Sequence, residues 1–468
     1  MTCTRLLGST ALTMALLATA PASAETFTVT SAANDGDGSL RAALAEAAAA
    51  DGADVIHILT DADISLTEAL VYESTGPLEI VGQGQTIRAS GDFEILMTTA
   101  TTSLSIDGLT FEGAGGYSIN AQGAAGAAGI LMDVPEDATG EVTLRLRDVT
   151  LTGSAGHGIH VSDCTLAEDC GAGEGGAGGG SEAGITVELT NVRVFESAYG
   201  RFDADGIRVD ERGPGSITFR AMGLTVEGVG ADGVELDEGQ DGDVVVDVTG
   251  SAFIDNGAYC DPDLLAGFMP AADEDDFDEG EMAADAIPGP VTGSPDDGCF
   301  EREVSLYEDG SVEEYAFAID VDDGFDIDED GPGSIFTTFT STDMTGNFDE
   351  GFDFDEAGTG GVEATFLYVL AADNTDDGIK ISESGAGDVV GIVLATEAIG
   401  NGGVGVVYEE EDGGDLQLVV LRSATVGNDD GELGIEAVQD DDGEGFVSVI
   451  DTEVADGIEV EGAEIDPD

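Results

Sequence analysis

Basic residues are nearly missing from this chain. Lys and Arg together number 13 against 99 Asp and Glu, and Lys380 is the single lysine. A net charge of −86 excludes nucleic acid and anionic membrane surfaces as partners, because both are gripped by Lys and Arg. The chain has no tryptophan, and beyond its first 24 residues it has no apolar run near the roughly 18 residues of a membrane span, which excludes membrane insertion. It does not lack hydrophobic side chains. At 41% they are too abundant for a disordered acidic tail, so the chain folds with its acid on the outside.

The first 24 residues carry one charge, Arg5, then the apolar run Ala11 to Ala20 and the small-residue site Ala22-Ser23-Ala24. This pattern predicts a secretory signal over residues 1–24, with cleavage before Glu25 and a periplasmic or extracellular, monomeric product. Cys3 leaves with the signal. The remaining cysteines, Cys164, Cys170, Cys260 and Cys299, predict two local disulfides in an oxidising compartment.

What the sequence has in abundance is repetition. It reads DGFDIDEDGPGSI from Asp323, EGFDFDEAGTGGV from Glu350 and DGIKISESGAGDV from Asp377, and Gly324, Gly351 and Gly378 stand 27 residues apart. Asn347, Asn374, Asn401 and Asn428 keep the same interval. Two markers with one period mean a stack of like units. Each unit holds a Gly-apolar-x-apolar strand, as in Gly206-Ile207-Arg208-Val209 and Gly233-Val234-Glu235-Leu236, with looser copies at Gly129, Gly158, Gly403, Gly434 and Gly457. Strand alternation points Ile207 and Val209 inward and Arg208 and Asp210 outward. The fold class is therefore all-β, a right-handed parallel β-helix of about 27 residues per coil over residues 55–468.

Ahead of the coils, ETFTVTSAANDGDGSLRAALAEAAAADGADVIHI predicts a strand, a helix with Ser39 as its N-cap, and a second strand. This cap at 25–54 closes the end that a solenoid would otherwise leave open. The order TFTVTSAA, GSLRAAL and GAD before VIHI resembles the N-terminal region of secreted bacterial right-handed parallel β-helix proteins, in which a GSLR-type helix precedes the first coils. The resemblance covers about 35 residues and implies fold and export, since those proteins share no single activity.

Two intervals break the period. Gly158 to Gly206 is 48 residues, one period plus 21, and Gly233 to Gly324 is 91, two periods plus 37. These predict insertions at about 163–183 and 258–300, each stapled by one cysteine pair. A disulfide closing the second contributes on the order of 4 kcal/mol on the chain-entropy model.

The acidic pairs after successive strands carry the first functional expectation. Asp237-Glu238, Asp328-Glu329 and Asp355-Glu356 recur in register, and neighbouring coils place equivalents about 4.8 Å apart. Bare carboxylates at that distance repel by about 0.9 kcal/mol in water and more at lower dielectric, so the column calls for counterions. These six residues are the expected Ca²⁺ ligands, since Ca²⁺ takes carboxylate oxygens in flexible geometry; an acidic surface suited to saline water is the alternative. Asp326-x-Asp328-x-Asp330-Gly331 resembles half an EF-hand loop, but its twelfth position is Thr337, which excludes that motif. The asparagine series reads as a structural amide ladder.

Other fragments are similar to the NTDG and GHG motifs of β-helix polygalacturonases, at Asn374 to Gly378 and at Gly156-His157-Gly158. Their order is reversed, and the family's Asp-Asp pair and RIK element are missing, so the assignment is rejected. Pectate lyases set basic side chains beside Ca²⁺-binding acids, and here bases are scarce. A subtler group arises if both insertions wall one sheet: His160, Arg208, Glu235 and Asp326 then line a groove, joined by Ser305 from an irregular coil. A His, an Arg and two carboxylates suit a polysaccharide lyase or hydrolase, because glycoside cleavage needs two carboxyl groups. Arg201, Arg208, Arg212 and Arg220 concentrate there and neutralise neighbouring acids. The leading expectation is a structural, adhesive or Ca²⁺-binding exported protein with divalent cations as partners; the rival is a carbohydrate-active enzyme with a polysaccharide partner.

Overall fold

A computed structural model of the chain describes residues 24–50, 52–119, 125–164, 180–269, 277–287, 298–302, 304–307, 309–440 and 443–466. The expected signal lies almost wholly outside the described residues. The fold opens with the strand Thr26–Val29, the helix Leu40–Ala49 and the strand Asp54–Ile58. The Ser39 hydroxyl accepts the Ala42 N–H at 3.2 Å and starts the helix. Leu40, Ala43, Leu44 and Ala47 then bury one face of it against the first coil, and Arg41 donates to the carbonyl of Ala69 at 2.6 Å.

Behind this cap the chain winds as a right-handed parallel β-helix. One coil shows the pattern: a front strand Val234–Glu238, a longer second strand Val244–Thr249 and a short third strand Ala252–Ile254. Twelve front strands, from Leu70–Tyr72 to Gly457–Glu461, form one parallel sheet. Successive coils pair in register, so Val234, Phe325 and Phe352 stack as inward neighbours. The core is correspondingly repetitive. Phe325, Phe339, Phe352, Phe354 and Phe366 are fully buried, with ring centroids 4.8 Å apart for Phe339 and Phe352 and 4.9 Å for Phe352 and Phe366. Each contributes about 1.5–3 kcal/mol by leaving water. The strand expected at Gly403 begins instead after Gly405, as Val406–Glu410, which keeps the period.

The asparagine ladder is longer than the sequence period suggested. Each side-chain amide donates to the next Oδ1: Asn256 to Asn347 at 3.0 Å, Asn347 to Asn374 at 2.9 Å, Asn374 to Asn401 at 3.0 Å and Asn401 to Asn428 at 2.8 Å. Asp456 ends the column as a pure acceptor, 3.1 Å from Asn428 Nδ2. From Asn347 to Asn428 each Oδ1 also takes the backbone N–H of the preceding asparagine, as in Asn347 N–H to Asn374 at 3.1 Å.

The second insertion corrects the interval arithmetic. Val234–Glu238 pairs directly with Phe325–Glu329, so the 91 residues are one coil plus an insertion that runs to about residue 320. No irregular coil intervenes. Ser305 sits opposite Glu314 in a small antiparallel hairpin of the insertion, away from the front sheet. The insertion is stapled by the disulfide Cys260–Cys299, with Cα atoms 5.4 Å apart. It docks on the body of the solenoid by packing Tyr259, Leu265 and Phe300 with Tyr199 and Phe202. Cys164 is disulfide-bonded as well; its expected partner Cys170 and most of the first insertion lie outside the described residues.

Asn401→Ala removes both amide bonds of one buried rung and leaves the Asn374 amide without its acceptor. The expected loss is about 2–4 kcal/mol, read as a lower thermal unfolding temperature and as faster hydrogen exchange at the Asn374 backbone amide, which donates to Asn401 Oδ1.

Candidate functional site

In-register stacking turns the outward positions of the front strands into columns. One column runs His160, Arg208, Glu235, Asp326, Asp353 and Lys380. Two residues further along each strand runs Ser162, Asp210, Asp237, Asp328, Asp355 and Ser382. The four residues expected to line a groove thus do stand side by side. They are not equally open: His160, Arg208 and Glu235 are buried, whereas Asp326 is half-buried.

Arg208 is the centre of the buried end. Its guanidinium meets Asp203 at 3.2 Å, Asp205 at 3.4 Å, Asp210 at 2.8 Å, Asp237 at 2.7 Å and also Glu235. Burial opposes its charge, but these carboxylates outweigh burial and hold its pKa well above the ordinary value. The acids respond differently. Burial pushes Asp210 up, yet Arg208 and His160 overcome it, so Asp210 stays well below the usual carboxylate range. Burial dominates at Asp205, pushed up to about 7, and at Glu235, raised well above its ordinary value. Arg212 completes the cluster by pairing with Asp237.

Beside this cluster, His160 Nε2 lies 2.6 Å from Asp210 Oδ2. The neighbouring His157 has Arg201 2.7 Å from Nε2, while its Nδ1 lies 3.0 Å from the Asp205 backbone nitrogen and 3.1 Å from Asp205 Oδ2. Burial first, then His160 and Arg201, hold its pKa well below the ordinary histidine value, so the ring is neutral. Of the four arginines grouped in the sequence, Arg208 and Arg212 neutralise acids and Arg201 meets His157. Arg220 is exposed on the second strand of its coil.

Beyond Glu235 the balance changes. Asp326 and Asp328 have no hydrogen bond or ion pair among the described residues, and burial raises both, Asp328 to about 7. Glu235, Asp326 and Asp328 can bring one oxygen each within 4.8 Å of one another. Two further oxygens flank them without a donor: Asp237 Oδ1, next to Asp328, and Asp353 Oδ1, next to Asp326. Asp328 also lines an open groove of about 580 Å³ with Asp330, Asp355, Ser382, Ser384 and Glu411. Two other acidic trios are already served. Arg208 fills the one made of Asp203, Asp205 and Glu235. In that of Asp323, Asp349 and Glu350, Lys380 binds Glu350 at 3.2 Å, and the Glu350 N–H binds Asp323 at 2.7 Å.

The expected ladder of acidic pairs needs correction. Asp237, Asp328 and Asp355 point outward, and Asp355 accepts from the Ser382 hydroxyl. Glu238, Glu329 and Glu356 are one residue further along a strand of period two, so they point inward and are buried. Each accepts the backbone N–H of a glycine four residues on, at 3.1, 3.0 and 3.0 Å. Facing the core, they stand apart from the outward acids and do not ligate a cation with them. The sequence reading also passed over the acid that precedes each strand glycine. Asp205 accepts the N–H of Asp232 at 3.2 Å and Asp323 that of Glu350. Its signal was the Asp-Gly or Glu-Gly pair recurring at the repeat interval.

No protein-family model matches this sequence, and no curated protein matches it. Among solved structures, the A-module of mannuronan C-5 epimerase AlgE4 from Azotobacter vinelandii is similar over 94% of this chain and 98% of its own, with 11% identity and a TM-score of 0.45. Pectate lyase Pel9A covers 86% of this chain and 79% of its own at 12% identity, with a TM-score of 0.39. PfbA, a surface adhesin of Streptococcus pneumoniae, covers 94% and 93% at 10% identity, with a TM-score of 0.31. These similarities are of fold, and they assign no activity.

Arg208→Met leaves its carboxylates buried without a counter-charge, at a cost of about 3–5 kcal/mol. Acids whose folded pKa lies above the unfolded value take up protons on folding, so they lower stability as pH rises between the two values. Removing Arg208 raises those folded values further. The destabilisation by Arg208→Met is therefore expected to be larger at pH 8 than at pH 5, as measured by thermal unfolding at both.

Proposed function

We propose that this is an exported β-helix protein whose front sheet binds a divalent cation, Ca²⁺ foremost, at Glu235, Asp326 and Asp328, in a structural or adhesive role. The observation that carries the reading is the unneutralised pair Asp326 and Asp328, set beside Glu235 with oxygens within 4.8 Å. Two oxygens that each lie about 2.4 Å from one Ca²⁺ are at most about 4.8 Å apart, so the spacing fits a shared ion. The donor set fits too: all ligands are carboxylate oxygens, and Ca²⁺ prefers such hard donors over nitrogen or sulfur. The orphan oxygens of Asp237 and Asp353 add negative potential at the same place. Ca²⁺ there would relieve carboxylate repulsion along the columns, which stiffens the solenoid and leaves the outer coordination positions to water or to an acidic partner.

A second reading, a polysaccharide lyase or hydrolase working on the same sheet, is supported by the close His160 and Asp210 pair next to several carboxyl groups. Against it stands Arg208, whose guanidinium is already taken up by acids.

Titration with CaCl₂ at constant ionic strength is expected to raise the unfolding temperature. An ion at 100 times its dissociation constant stabilises by about 2.7 kcal/mol. Asp326→Asn combined with Asp328→Asn is expected to abolish the rise. A rise produced equally by NaCl, with none specific to Ca²⁺, rejects the cation site and leaves an acidic surface suited to salt. Incubation with uronate and neutral polysaccharides tests the second reading: new reducing ends or unsaturated products that disappear in His160→Ala would establish it, and their absence across the panel rejects it.

A further inference from the structure

One register position at the end of eight successive front strands forms a column that the cation site does not use. Asp163, Glu211, Glu238, Glu329, Glu356, Glu383, Glu410 and Gln439 follow one another in register and are all buried in one corner of the solenoid. The C-terminal half, from Glu356 on, lies on other strands than those that carry Glu235, Asp326 and Asp328. There Glu356 Oε1 accepts the Gly360 N–H at 3.0 Å, and Glu383 Oε1 accepts the Gly387 N–H at 2.8 Å. These glycines stack so tightly that a Cβ on Gly387 would fall 1.3 Å from the carbonyl oxygen of Gly360. The turn therefore offers the corner only backbone amides.

The second oxygen, Oε2, of both glutamates is buried and has no donor. The strand register stacks the carboxyl groups of Glu356 and Glu383 as direct neighbours in this buried corner. Two ionised carboxylates only accept, so neither free oxygen can satisfy the other unless one of the pair is protonated. The end of the column shows what the arrangement requires. Gln439 Oε1 accepts a backbone N–H, from Leu416 at 2.8 Å, while its Nε2–H donates to Glu410 Oε2. The amide there performs the two tasks of a protonated glutamic acid, one oxygen accepting and one group donating.

We propose that the inner glutamate column is a proton-binding site, in which Glu356 and Glu383 share a proton at neutral pH through the oxygens that the glycines leave free. The charged groups acting on the pair are Glu329 on one side and Glu410 on the other; no basic side chain is among them in the described residues. On the outer face of the same strands stand Asp353, Asp355, Lys380 and Ser382, separated from the column by the sheet. Burial, assisted by the neighbouring glutamates, pushes both pKa values up to about 8. The folded protein thus holds a proton that the unfolded chain releases near pH 4.5, and stability falls as pH rises from there through about 8. That is the reverse of a salt-bridged carboxylate, which loses its contribution on the acid side.

Infrared spectra in D₂O at neutral pH, with chelator present, are expected to show a protonated-carboxyl carbonyl band. Glu383→Gln is expected to reduce that band and to lower the proton uptake on folding by about one, so that its unfolding temperature falls less between pH 6 and pH 9. Glu397→Gln, at an exposed strand position, is expected to leave both unchanged. Glu356→Gln is the second variant should Glu383→Gln not fold. A wild-type spectrum without the band overturns the proposal. So does a pH slope in both ladder variants equal to that of Glu397→Gln, or a metal ion that survives the chelator and is lost in the ladder variants, since the column then holds a cation instead.

Discussion

Every coil of this molecule lies about 4.8 Å above the last one and in register with it, so each side chain has a near copy of itself as its closest neighbour. For apolar residues the constraint is an advantage, and the phenylalanine stack around Phe339 and Phe352 exploits it. For charged residues it is a liability, because like charges are brought together along the whole length. A chain with 99 acids and 13 bases cannot answer by pairing them one to one.

The structure answers by column. The asparagines need no partner of another type, because an amide both donates and accepts, and the series from Asn256 to Asn428 is self-satisfying until Asp456 ends it. The acids ahead of each strand glycine spend an oxygen on the backbone of the next coil. The inner glutamates do the same with the glycine that follows them. Outward acids have fewer such partners, and the scarce bases are placed where they are thickest: Arg208 amid five carboxylates, and Lys380 between Glu350 and Asp353. Asp326 and Asp328 lie between these two cations without a partner among the described residues.

Much of this was legible beforehand. The 27-residue spacing of Gly324, Gly351 and Gly378 fixes the coil length, the alternation in Gly-apolar-x-apolar gives the inward core, and the Cys260 to Cys299 interval marks an insertion that is indeed stapled. Strand alternation also contained the correct facing of Glu238, Glu329 and Glu356. Counting two places on from Leu236, Ile327 and Phe354 puts them inside, but an acidic pair invites reading as one surface feature. The length of the second insertion was not legible, since an insertion of arbitrary size leaves the next coil in register whatever the interval.

By itself the sequence determined the repeat, the strand type, the export-like leader pattern and the identity of every column, because these depend on residues at fixed spacing along one chain. Only the tertiary structure decided how Arg208 is shared, which acids are left alone and which carboxyls touch. Those depend on distances across coils and on exclusion of water by packed neighbours, and the energy of a charge is set by that surrounding medium rather than by its position in the chain.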